Sequence, residues 1–132
     1  MKKLLAIFLL LVATAPAMPA VERLSSARAA AVSHAWSGPL RVLGIAGNTG
    51  SMRPYITGGE TLLCDVYYGQ PILRGDLLVF DRGDHPRVLH EATAVNPRAV
   101  YMSGLNNRYS DGWFPNHKVR LIVRRVIRVQ AP

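Results

Sequence analysis

The sequence predicts a mostly β domain. Short runs rich in Val, Leu and Ile follow one another from Leu40 onward, and turn signals such as Gly58-Gly59 and Arg74-Gly75 separate them. At 132 residues the chain fits one domain. It shows no internal repeat and no low-complexity tract.

The elements read as follows. Residues 1–20, MKKLLAIFLLLVATAPAMPA, have the layout of a signal peptide or membrane anchor. Lys2 and Lys3 precede an uncharged run from Leu4 to Ala15, and Ala15-Pro16-Ala17 fits a small-x-small cleavage pattern. The run is shorter than the ~18 residues of a confident span. The leading charges predict export, to the periplasm or to the outer face of the cytoplasmic membrane. About 110 residues then remain for one modest core.

Residues 21–44 read as a linker or short helix, with weak helical spacing over Val21–Trp36 that Ser37-Gly38-Pro39 breaks. Residues 45–132 form the main domain. The expected strands are RVLGIAG, TLLCDVYY, DLLVF, PRVLHEATAV, RAVYMSG and KVRLIVRRVIRV. In the last, Val119, Leu121 and Val123 alternate with Arg120, Ile122 and Arg124. Ile122 breaks the polar set, so a bulge or burial on both faces is expected.

Cys64 is the only cysteine, which excludes an internal disulfide and a cysteine metal cluster, and its apolar neighbours make it a buried thiol. No metal or cofactor is called for. Lys2 and Lys3 account for part of the net charge of +8, and the remaining excess is arginine scattered over Arg23–Arg128 rather than one dense tract. An exported chain with that pattern is not expected to bind nucleic acid. A membrane surface is a second candidate partner.

GNTGSMRPYI, residues 47–56, places Ser51 in a glycine-rich turn. A serine nucleophile needs a base and oxyanion donors. The stretch does not fit the G-x-S-x-G elbow. Beyond the first residues the only lysine is Lys118; the histidines are His34, His85, His90 and His117. His34 reads as a solvated or packing residue, His85 as solvated and His117 as part of a loop, and His90 lies within an apolar strand pattern. An imidazole base needs an orienting acceptor, and spacing alone does not choose among Asp65, Asp76, Asp81, Asp84, Asp111 and three glutamates.

Three boxes, in order, resemble the type I signal peptidase family of serine endopeptidases. Gly50-Ser51-Met52-Arg53-Pro54 is similar to the family's S-M-x-P box, Arg74–Phe80 (RGDLLVF) to its R-G-D strand box, and Gly104–Asp111 (GLNNRYSD) to its G-D-N-N box. The resemblance covers residues 45–128. It implies a small signal-peptidase-like β domain that cleaves exported preproteins or propeptides, bound in extended form, after small residues. Many bacterial members use a lysine base. Here His90 stands in the matching stretch, as in the branch found in the endoplasmic reticulum and archaea. The resemblance thus implies Ser51 as nucleophile, His90 as general base and Asp111 as its orienting acid. It also implies an oxyanion hole made by the Thr49 hydroxyl and the Ser51 N–H, each donor contributing ~3 kcal/mol. Two residues depart from the pattern: Leu105 replaces the usual aspartate, and Tyr55 a common threonine. Leu105 motivates the competing expectation, a non-catalytic exported β domain that binds peptides or assembles with partner proteins.

Overall fold

The computed structural model describes residues 18–131, so most of the expected signal or anchor segment lies outside the described residues. Among them are eight strands joined in one sheet and one α-helix. No helix among the described residues is long and apolar enough to cross a membrane.

Strand β1 (Val21–Leu24) leads directly into helix α1 (Ser26–Ala35). Ser25 caps the helix, its Oγ accepting from Arg28 N at 3.3 Å. Ala29 is buried against Leu63 and Ile127, with Val32 and Trp36 packed beside it. Residues 21–44 therefore do more than connect. They hold the expected helix, and they add β1 and most of β2 (Arg41–Ile45) to the sheet.

Strands β3 (Thr61–Val66), β4 (Leu77–Phe80), β5 (Val88–Val95), β6 (Ala99–Ser103), β7 (Gly112–Pro115) and β8 (Val119–Val129) follow. The sheet order is β2-β3-β8-β4-β5-β6-β7, antiparallel throughout, and β1 pairs with β8 in parallel. The long β8 is central. β3 lies along one edge; β4 covers the start of the other edge and β1 its end.

Both expectations for β8 hold at once. Its register slips opposite Leu63/Cys64, where Arg124 is the extra residue, and opposite Val79/Phe80, where the extra residue is Arg120. Each bulge leaves an arginine at the surface, ion-paired with Asp65 and Asp81 respectively. Between the bulges both faces are buried. Val123 and Val126 enter a cluster with Met52, Ile56, Leu62, Cys64, Leu77 and Val79. Val119 and Ile122 enter another with Leu78, Phe80, Val88, Ala92, Val100 and Met102.

Cys64 is buried, and burial, with the neighbouring Asp65 carboxylate, pushes its thiol up to about 12. Trp113 and Phe114 point to opposite sides of β7. Phe114 packs edge-on against Phe80 at 4.9 Å, and Trp113 lies outside against Tyr101 at 5.4 Å.

Candidate active site

The Ser51 turn is anchored from below. Met52 and Ile56 plug the first core cluster, and Ile56 N donates to Met52 O at 3.0 Å. Behind the turn, Gly58 adopts φ +115° with its α-carbon hard against Asn48; a Cβ there would fall 2.8 Å from the Asn48 Cβ. Glu60, 2 % exposed, closes the same loop. It accepts from Thr57 N (3.0 Å), Gly58 N (2.7 Å) and Arg128 Nη2 (2.7 Å). Tyr55 donates its hydroxyl to the Pro19 carbonyl, tying the chain before β1 to this loop. Burial raises the Tyr55 phenol to about 12.

His90 sits on β5 between Val88 and Ala92, on the inward-facing row of that strand. It is 2 % exposed, with its ring 6.1 Å from that of Phe80. A buried imidazole needs partners. His90 Nδ1 lies 2.5 Å from Asp111 Oδ2. An ionised carboxylate only accepts, so this contact places the proton on Nδ1 and leaves the Nε2 lone pair available. Asp111, its side chain 5 % exposed, precedes β7 and is fixed to β6 by its own N–H, which donates to Met102 O at 2.9 Å.

Residues Gly104–Asp111 touch all parts of the site. Asn106 N donates to Ser51 O (2.8 Å), and Asn106 Nδ2 donates to Gly50 O (3.1 Å). Asn107 N donates to Gly104 O at 3.3 Å, turning the chain. Asn106 and Asn107, residue types that tolerate positive φ, do not use it here: no described non-glycine residue does so. These asparagines act through hydrogen bonds instead. Gly104 is required by close approach, since a Cβ there would fall 2.9 Å from His90 Nε2 and 2.7 Å from Asn107 Nδ2. Leu105 is 43 % exposed on this turn.

Ser51, Thr49 and His90 line one groove of about 510 Å³, together with Met52, Ile56 and Leu89. Ser51 Oγ and Thr49 Oγ1 are 3.1 Å apart, within hydrogen-bond distance. Among the described residues Ser51 Oγ has no hydrogen bond to His90. His85, expected to be merely solvated, is exposed but also lines this groove, and His34 and His117 are exposed elsewhere. Of the other acids, Asp76 accepts from Leu73 N at 2.8 Å and so holds the turn before β4.

Sequence reasoning passed over Glu60 and Arg82. Arg82 Nη1 donates to Asp111 Oδ1 at 3.0 Å. The T-G-G-E spacing, which lets a carboxylate reach back to turn N–H groups, is a signal for Glu60; nothing local marks Arg82.

Gly104→Ala tests the approach to His90. The new methyl must displace Asn107 and tilt the buried imidazole, so urea unfolding is expected to show a loss of about 1–3 kcal/mol and the His90 ring resonances to shift. Wild-type stability and ring shifts would show that Nε2 has room to spare.

Comparison with family models, curated proteins and solved structures finds no match for the chain, which leaves its own side-chain geometry as the ground for a functional reading.

Proposed function

We propose that the chain is a serine endopeptidase of signal-peptidase type that cleaves exported proproteins after small residues by a Ser51–His90–Asp111 mechanism. The observation that carries it is the buried His90–Asp111 pair opening onto the groove that Ser51 lines. In this mechanism the Ser51 hydroxyl turns from Thr49 toward Nε2 and attacks the scissile carbonyl. His90 takes the proton and returns it to the leaving amine, while Asp111 holds the ring and balances the imidazolium. The Thr49 hydroxyl and the Ser51 N–H receive the oxyanion. A hydrogen bond missing without substrate is compatible with one that tightens on binding.

The substrate runs extended. Among the described residues β2 pairs only with β3, so its other edge is open to an added strand. A second groove, about 590 Å³, follows β2 and shares Gly47, Arg87 and Leu89 with the first. Export, and action at the outer face of the membrane, are part of the proposal; they rest on Lys2, Lys3 and the apolar run after them.

A non-catalytic peptide-binding domain is the second reading, favoured by the Ser51–Thr49 contact and by Leu105 in the loop. A peptidyl phosphonate with a small residue at the reactive end separates the two. A covalent adduct mapped by mass spectrometry to Ser51, absent from Ser51→Ala and His90→Ala, is expected. Failure of the folded wild type both to form the adduct and to cut a preprotein peptide would overturn the peptidase.

A further inference from the structure

Asp111 has two carboxylate oxygens, and only one is used by His90. The other accepts from Arg82 Nη1 at 3.0 Å. Arg82 lies after β4, in the turn that leads to β5, and it lines the Ser51 groove. Its guanidinium is itself aimed. Arg82 Nε donates to Asp84 Oδ1 at 2.7 Å. Arg82 N donates to His85 O at 3.0 Å, and Gly83 N donates to Asp81 Oδ1 at 2.8 Å, so the turn is braced at both ends.

We infer that Arg82 is a positioning residue of this site: it fixes the Asp111 carboxylate, and through it the tautomer and tilt of His90. The inference rests on the peptidase reading for its catalytic meaning but not for its geometry. A carboxylate with one oxygen bonded can still rotate about its Cβ–Cγ bond. Bonds on both oxygens, one to strand β5 and one to the turn before it, remove that freedom. A carboxylate so little exposed also needs a compensating charge, and a neutral imidazole supplies none. The arginine fork serves two carboxylates at once, Asp84 through Nε and Asp111 through Nη1, which a lysine's single ammonium does less well.

The test uses the full chain and two readouts. The first is the downfield proton resonance of the His90 Nδ1–H, assigned by its absence from His90→Gln. The second is peptide cleavage, resolved into kcat and KM. In Arg82→Gln the resonance is expected to broaden away, and kcat to fall about 10²-fold at nearly constant KM. Arg82→Lys should recover part of both. A wild-type resonance and kcat in Arg82→Gln would overturn the inference. Asp84→Asn, at an acid 69 % exposed, loosens the guanidinium without entering the core, so it stands in if Arg82→Gln does not fold. The same resonance should broaden in it, and a wild-type resonance would count equally against the proposal. Because the resonance is read without substrate, a chain that shows this pattern yet cuts nothing would sink the peptidase reading and leave the Arg82 assignment standing.

Discussion

Asp111→Asn is expected to lower kcat for peptide cleavage about 10⁴-fold while leaving KM and the melting temperature nearly unchanged. The size follows from which way the new amide must face. Arg82 Nη1 and His90 Nδ1 approach different oxygens of residue 111. A guanidinium has only donors, so the asparagine has to turn its carbonyl oxygen to Arg82. Its NH2 then faces Nδ1, which must accept. The imidazole proton moves to Nε2, and the lone pair that should receive the Ser51 proton is gone. A flip of the amide would set two donors against each other, its NH2 against the Arg82 guanidinium. Steady-state kinetics on a cleavable peptide, with ¹⁵N shifts of the His90 ring to read the tautomer, check both halves of the expectation. A loss below tenfold would show that Asp111 does not control the base.

Much of the scaffold was legible because each strand announces itself locally. The β3, β4, β5 and β6 runs are apolar, short and bounded by turns, and the observed limits fall inside the expected stretches. Two strands escaped. β1 is VERL, with charges at its two middle places, and it is held by a parallel partner a hundred residues away, Val21 against Val126. β7 is GWFP, opening on glycine and closing on proline, which reads as a turn. The conflicting pattern of β8 was a real signal, since each bulge moves an arginine out of the ladder and resets the inward face.

The site was less legible, for a physical reason. The aspartates that competed with Asp111 are each engaged close by or at the surface. Asp65 meets Arg124, Asp76 holds Leu73 N, Asp81 holds Gly83 N, and Asp84 meets Arg82. Nothing in their spacing reveals that. His90 and Asp111 meet across a strand and a loop, and it was the resemblance of the boxes, not periodicity, that singled them out. Arg82 and the close approach of Gly104 are consequences of packing alone.

The largest effect on stability is expected at Glu60. Replacing it with glutamine should cost about 3 kcal/mol at pH 7, read as a shift in urea unfolding, against a total of roughly 5–15 kcal/mol for a domain. Every partner of the Glu60 carboxylate is a donor: Thr57 N and Oγ1, Gly58 N, and Arg128 Nε and Nη2. A glutamine must point its own NH2 at one of them, and an Arg128 charge loses its counterion. Burial alone would raise the Glu60 carboxyl, but the Thr57 N–H, the Arg128 guanidinium and the Gly58 N–H outweigh it and bring it down to about 2. From an ordinary value of 4.5 that lowering is worth about 3 kcal/mol. Because the folded-state value is the lower one, the stabilisation is fully present above pH 4.5. It fades as the pH falls toward 2, where the folded protein also takes up the proton. The gap between wild type and Glu60→Gln should therefore be constant from pH 5 to 7 and narrow steadily on acidification below that range. The loop that Glu60 closes runs back to the Ser51 turn, and Arg128 Nη2 also donates to Tyr55 O at 3.1 Å. Cleavage should accordingly weaken in the variant even at temperatures where it remains folded. A gap that did not narrow in acid would mean that the charge on Glu60 is not what braces the loop.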